Sequence, residues 1–246
     1  MIVFGLVAAA VAQMPARLTR ENLPQALAAY QRQTAMTRSL FDCVYRSDPA
    51  ATASLVDQTD PYLFMEPGGG AFAPFQSKLI ASGALTRCTI AAVQANGDAP
   101  AGQRVTLSLD AREYRDWAVR RIYTDRFSAP PHFAKLRTPD RSMRPEYGRN
   151  ARPVLLLLRA FDCAGQARPE AADWVVRNVD PYDAVKPALG GNEFKMLSDA
   201  FDKCNRRHPV ANGSDELLNH SAGLMADSLL KMLPEGGQVK GSGGDA

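Results

Sequence analysis

The chain has 246 residues, of which 46% are hydrophobic and 22% are charged. This is enough apolar material for one large core or for two small cores of roughly 100 residues each. A formal net charge of +3 is too small to indicate a polyanionic partner, so composition excludes little.

The N-terminal segment resembles a secretory leader. An apolar or small run over residues 2–12 ends in Ala10-Val11-Ala12, the A-x-A pattern that precedes signal cleavage. We assign residues 1–16 to a signal-peptide region and expect cleavage before Gln13, although no Lys or Arg precedes the apolar run. An upstream start site or a buried N-terminal helical turn would explain that departure. The run is too short to span a bilayer.

A long helix follows the leader. Pro24 is tolerated because it lies in the first turn, and apolar positions recur at steps of three and four as far as Val44. Asp48-Pro49 has the form of an N-cap followed by a proline at the first helical position. The pattern therefore predicts that a second, short helix begins at Pro49 and ends near Gln58.

Two more helices complete the first unit. After a turn rich in Pro and Gly, apolar positions from Phe75 to Cys88 predict a third helix, and a fourth extends from about Asp110 to Ile122. Residues 104–109 alternate briefly but are too few for a convincing strand. The pattern predicts an all-α protein whose first unit covers residues 17–127.

The connector between the units is rich in proline and arginine. Residues 128–152 contain four prolines and little apolar periodicity, which predicts irregular structure. If the protein is exported, this basic segment favours an anionic lipid or polysaccharide surface over nucleic acid. The alternative is that arginine simply covers solvated faces. The candidate residues for binding an anionic surface are Arg137, Arg141, Arg144 and Arg149.

The second unit, residues 153–234, repeats the first, and the tail over residues 235–246 is predicted to be disordered because it is rich in glycine. Each repeated motif is displaced by 120 positions, which indicates a tandem duplication. The repeated motifs are Phe41-Asp42-Cys43, Pro49, Val56, Asp60-Pro61-Tyr62 and Pro67, which recur as Phe161-Asp162-Cys163, Pro169, Val176, Asp180-Pro181-Tyr182 and Pro187.

Four cysteines lie in equivalent places in the two units. Because duplication of a unit that already contains a disulfide preserves it, we predict the pairs Cys43–Cys88 and Cys163–Cys204. Four buried thiols in a cytosolic core are the alternative. A four-cysteine metal site is disfavoured because no C-x-x-C occurs. With the leader, the pairs indicate a periplasmic or secreted protein.

The sequence offers only weak candidates for catalytic or metal-binding residues. Asp42 and Asp162 could form an acid/base pair, but an aspartate on a solvated helix side is commoner. The three histidines lack metal-ligand spacing, so no catalytic residue, metal or cofactor is predicted. The two Asp-Pro-Tyr motifs have the form of structural turns; their residues are Asp60, Pro61, Tyr62, Asp180, Pro181 and Tyr182.

The sequence therefore predicts a tandem duplication of a disulfide-stapled unit of about four helices, packed as two helical subdomains. Small helical repeat proteins usually bind or scaffold. The leading hypothesis is a non-enzymatic binding or scaffold protein of the cell envelope, whose partner is unknown. A hydrolase-like enzyme with a site between the two units is the alternative from a different class.

Overall fold

The computed structural model describes residues 23–58, 72–96, 107–141, 151–179, 191–206 and 214–234. Within these ranges the protein contains helices and no strand, which confirms the all-α prediction. The predicted leader, both Asp-Pro-Tyr turns and the Gly-rich tail lie outside the described residues. The helices are α1 Leu23–Ser47, α2 Pro49–Gln58, α3 Phe72–Ala81, α4 Ala84–Ala95, α5 Ala111–Arg126, α6 Ala151–Ala167, α7 Pro169–Asn178, α8 Asn192–Asn205 and α9 Ser214–Met232.

In each half a single residue separates the first helix from a second helix that begins with proline. In the first half, the Ala51 N–H donates to Oδ1 of Asp48 at 2.9 Å, so Asp48 caps α2 as predicted. In the second half, Arg168 occupies the equivalent position and makes no side-chain cap. The proline is therefore retained while the cap is lost.

The third predicted helix of the first half is two helices. α3 ends at Ala81, and α4 begins at Ala84 after a turn in which the Gly83 N–H donates to the Ile80 carbonyl at 2.9 Å. Gly83 has a φ of 68°, a conformation that glycine adopts without the clash a side chain would create. The apolar pattern continues through this turn, which is why periodicity alone predicted one helix. In the second half, α8 is continuous.

Both predicted disulfides are present. Cys43–Cys88 joins α1 to α4, with Cα atoms 5.4 Å apart, and Cys163–Cys204 joins α6 to α8, with Cα atoms 5.9 Å apart. In each half the helix that carries the second cysteine packs on the first helix. The sulfur bridge therefore fixes a helix pair that also shares an apolar interface.

The last helices of the two halves, α5 and α9, pack against each other. A Cβ atom placed on Gly223 of α9 would lie 2.6 Å from the Cβ of Asp116 on α5, so the helices approach closely there. α2 packs on α5, and α7 packs on α9. Buried apolar side chains of both halves form one continuous core. This arrangement agrees with a duplicated unit, while the predicted domain boundaries stay a prediction.

None of the helices in the described ranges is long and apolar enough to qualify as a membrane-spanning segment.

Candidate functional site

Four buried charged side chains meet in the core between the halves. Nη2 of Arg115 on α5 donates to Oδ1 of Asp227 on α9 at 2.6 Å. Arg141, from the connector, donates to Oδ2 of Asp227 at 3.1 Å and to both carboxylate oxygens of Asp162 on α6 at 2.9 and 3.0 Å. Each of the four residues is less than a tenth exposed. We call these four residues the core charge network; it links α5, the connector, α6 and α9.

The core charge network keeps the carboxylate of Asp227 ionised. Burial by itself raises the pKa of Asp227, but the charges of Arg115, Lys231 and Arg141 outweigh burial and hold that pKa well below its usual range. Nζ of Lys231 lies 3.3 Å from Oδ2 of Asp227. Burial lowers the pKa of Arg141, but its bonds to Asp162 and Asp227 outweigh that effect and raise it overall. Asp227 and Arg141 therefore both remain charged near neutral pH.

Hydrogen bonds that involve its backbone also hold the connector against α6 and α9. The Arg137 N–H donates to the Met232 carbonyl at 2.9 Å, and Nη2 of Arg159 donates to the Arg141 carbonyl at 3.0 Å. Nε2 of Gln166 donates to the Arg137 carbonyl at 3.3 Å. The described end of the connector is irregular, as predicted, but it is packed on the helices.

The prediction that Arg141 binds an external anion is wrong. The sequence placed it on a surface that binds anions, whereas its guanidinium is buried and paired with Asp162 and Asp227, so it cannot reach an external anion. Arg137 is exposed and fits the predicted surface. Arg144 and Arg149 lie outside the described residues. Anion binding by the connector stays a prediction for these three arginines.

A second polar cluster joins α5 to α7. The Tyr123 hydroxyl donates to Oδ1 of Asp173 at 2.7 Å, and Nε of Arg177 lies 2.9 Å from both carboxylate oxygens. Nη2 of Arg177 donates to the carbonyls of Phe127 at 2.8 Å and Ala129 at 3.2 Å. Burial, together with the charge of Asp173, raises the pKa of Tyr123 well above its usual range, so the phenol remains a hydrogen-bond donor.

An open cleft of about 590 Å³ runs along α7 beside this cluster. We call it the α7 cleft. Trp174 is half-buried in it, and Met196 of α8 is 44% exposed. Glu170, Glu193 and Arg168 have no hydrogen bond or ion pair from their side chains within the described residues. The lining residues are Pro130, Arg168, Glu170, Ala171, Asp173, Trp174, Arg177, Asn178, Glu193 and Met196.

A second groove, of about 490 Å³, lies between α1 and α4 beside Cys43–Cys88. Asp42 lines it, with Nη2 of Arg46 at 4.0 Å, and both side chains are more than a third exposed. Asp162 instead belongs to the core charge network. The structure therefore places the two repeated aspartates in different environments and does not support the acid/base pair considered from the sequence.

Neither the histidines nor a search for metal-binding clusters adds a candidate functional site in the described residues. His132 is exposed in the connector, His208 lies outside the described residues, and His220 belongs to α9. In the part of the chain that the structure describes, no group of three or more His, Cys, Asp or Glu side chains could hold a metal ion.

Sequence reasoning missed four of the residues that organise the interior: Arg115, Tyr123, Asp173 and Asp227. A usable signal existed for two of them. Asp227 and Asp173 interrupt apolar helical stretches of α9 and α7, and a charge in such a position is buried only when it is paired. The partners could not be named, because Arg115 and Asp227 are 112 residues apart.

No protein-family model, curated protein or solved structure matches this chain.

Proposed function

We propose that this protein is an exported binding or scaffold protein of the cell envelope, periplasmic or secreted, and not an enzyme. One observation carries the proposal. The buried charged side chains of the core charge network pair with one another and hold helices together, whereas Glu170, Glu193 and Arg168, which line the open α7 cleft, make no side-chain pair within the described residues. The interior thus supports structure, and the cleft offers a surface for contact.

The electrostatics of the interior support this assignment. A general acid or base works best when its pKa lies near the working pH. The pKa of Asp227 is moved down and that of Tyr123 is moved up, so both groups are shifted away from neutral pH. These shifts suit groups that keep one protonation state while they hold a fold together.

The composition of the α7 cleft supports binding. Aromatic residues and methionine are enriched in protein interfaces, and a half-buried tryptophan can contribute much of the binding free energy. Trp174, Met196 and Pro130 supply the apolar contact area. Glu170 and Glu193 supply charges that a partner can neutralise.

The two disulfides support export. Structural disulfides persist in oxidising compartments and are rare in the reducing cytosol. Cys43–Cys88 and Cys163–Cys204 each lie between packed helices of the same half, as expected of structural bonds. The leader-like residues 2–12 point to the same destination.

The test uses the full chain in its native host. After chemical cross-linking in intact cells, the protein recovered from the envelope or the medium should carry both disulfides and form a discrete heavier species. Trp174→Ala should remove that species, whereas Asp199→Asn, an exposed change on α8 outside the cleft, should retain it. Cytosolic recovery with free thiols, or an unchanged cross-linking pattern in Trp174→Ala, would contradict the proposal.

A further inference from the structure

One face of α6 binds an irregular polypeptide segment, the connector. Nε2 of Gln166 donates to the Arg137 carbonyl at 3.3 Å, and Nη2 of Arg159 donates to the Arg141 carbonyl at 3.0 Å. Between them, Asp162 accepts from Nε and Nη2 of Arg141 at 2.9 and 3.0 Å. Three α6 residues, spaced by three and four positions, therefore hold a segment that runs antiparallel to the helix.

The equivalent face of α1 lines an open groove. This is the groove of about 490 Å³ between α1 and α4, which we call the α1–α4 groove. The side chain of Asp42 is 36% exposed there, whereas that of Asp162 is 7% exposed. In the described residues, the connector thus covers one copy of the face and leaves the other accessible. The residues that the displacement of 120 positions relates are Ser39 and Arg159, Asp42 and Asp162, and Arg46 and Gln166, and all three α1 residues line the groove.

We infer that the α1–α4 groove binds an irregular segment of a partner polypeptide that carries an arginine. The guanidinium of that arginine pairs with both oxygens of Asp42, as Arg141 pairs with Asp162, and such two-bonded pairs are strong and specific. This inference goes beyond the proposed function, because it adds a second contact surface that shares no residue with the α7 cleft.

The lining of the α1–α4 groove favours contact with a main chain. Ala91 and Ala95 of α4 line it and are exposed, so a bound backbone can approach the helix closely. Arg46 and Arg87 supply N–H donors for backbone carbonyls, the role that Gln166 has on α6. The connector of the same chain is already bound to α6, so the occupant comes from another polypeptide.

Two differences between the faces make binding in the α1–α4 groove weaker than that of the connector. Arg141 is also bound by Asp227, whereas Asp42 is the one acidic residue among those that line the groove. Arg46 is a cation where α6 has Gln166, and its Nη2 lies 4.0 Å from Oδ2 of Asp42. It therefore repels and competes with an incoming guanidinium, so we expect reversible binding.

The probe is the blocked peptide acetyl-Leu-Arg-Thr-Pro-Asp-Arg-amide, which copies residues 136–141 of the connector. Titrated into the isotope-labelled full chain at low ionic strength, it should shift the backbone amide resonances of residues 39–47 and 84–95 to saturation. A matched peptide with Arg141→Gln keeps the backbone groups and loses the guanidinium, so it should bind about fivefold more weakly. Salt should weaken the binding because Asp42 is partly exposed.

Matched variants of the protein locate the contact. Asp42→Asn should weaken binding about fivefold and remove the preference for the arginine peptide, since it removes the charge that the guanidinium meets. Arg46→Gln reproduces the residue found at position 166 and removes a repelling charge, so it should tighten binding. Asp199→Asn and Trp174→Ala lie outside the groove and should have no effect.

Equal binding of the two peptides, or unchanged binding by Asp42→Asn, would overturn the inference. Shifts centred on residues 159–166 would also overturn it, because the peptide would then replace the connector on α6. Equal affinity for N-acetyl-argininamide would assign the groove to a small guanidinium compound and rule out the polypeptide. The cross-linking of the proposed function depends on Trp174, so either idea can fail while the other stands.

Discussion

The tripeptide Phe-Asp-Cys occurs in both halves, and its two aspartates have different surroundings. Asp162 is 5% exposed and accepts two hydrogen bonds from Arg141, whereas Asp42 lies at the surface with Arg46 at 4.0 Å. The phenylalanines are buried in both copies, and the cysteines are bridged in both. The apolar and sulfur parts of the repeat are thus equivalent, but the connector supplies a cation to the second carboxylate only.

The largest effect is expected at Asp227, which binds the guanidinium groups of both Arg115 and Arg141. Asp227→Ala should lower the free energy of unfolding by about 4 kcal/mol, because it leaves buried cations without their carboxylate. Urea unfolding measures the change. Asp199→Ala, at an exposed position of α8, is the control and should change little. A loss below about 1 kcal/mol for Asp227→Ala would contradict the structure.

The second-largest effect is expected at the two repeated aspartates, whose substitution should lower the free energy of unfolding by different amounts. Asp162→Ala should cost about 3 kcal/mol because Arg141 stays buried beside it. Asp42→Ala should cost less than about 0.5 kcal/mol, since its pair with Arg46 is solvated. Thermal or urea unfolding of the two variants compares the copies directly, and equal losses would refute the difference in their environments.

The contact between α5 and α9 gives a smaller effect. Gly223→Ala should destabilise by about 2 kcal/mol, because the added Cβ would lie 2.6 to 2.9 Å from Asp116, including its backbone Cα. Gly165→Ala is the matched control: its Cβ would meet the flexible ends of Met225 and Met232 at 3.2 and 3.3 Å. The control should cost less than about 1 kcal/mol. If both variants behave alike, α5 and α9 do not approach as closely as described.

Acid should weaken the core charge network gradually. The pKa of Asp227 is lower in the folded state than its value of about 4 in the unfolded chain, so the unfolded state binds more protons in acid. Its contribution is complete above about pH 4 and is lost as the pH falls towards the folded pKa. Asp48, whose pKa Lys78 also lowers, acts in the same direction.

Comparison with Asp227→Asn isolates the contribution of Asp227. Below pH 4 the free energy of unfolding of this variant should fall less steeply than that of the wild type, by up to about 1.4 kcal/mol per pH unit. Parallel slopes for the two proteins would show that the carboxyl group of Asp227 has the same pKa in both states.

Local patterns made much of the fold predictable from the sequence. The helical periodicity, the Asp48 cap and the paired cysteines are each encoded by neighbouring residues or by the repeat itself. The break at Gly83 was missed because the apolar pattern passes through it. Burial of a charged residue depends on its partner in the tertiary structure, which local patterns do not show. Arg141 was predicted to be a surface cation because nothing near it in the sequence indicates that Asp227, 86 residues away, lies beside it.

The α7 cleft could not be predicted for the same reason. Trp174 and Glu193 come from different helices, and Pro130 comes from the connector. Nothing in the spacing of these residues indicates that they share one cleft. The sequence placed the contact surface in the connector or between the units, whereas the structure places Trp174, Glu170 and Glu193 around a cleft along α7.

The most direct test of the account is a double-mutant cycle with Arg141→Gln and Asp162→Asn, measured by urea unfolding beside the same cycle for Arg46 and Asp42. The buried pair should show a coupling free energy of about 2 kcal/mol, and the exposed pair should show less than about 0.5 kcal/mol. A coupling for Arg141 and Asp162 as small as that of the exposed pair would contradict the claim that the second repeated aspartate, unlike the first, is held by a buried ion pair.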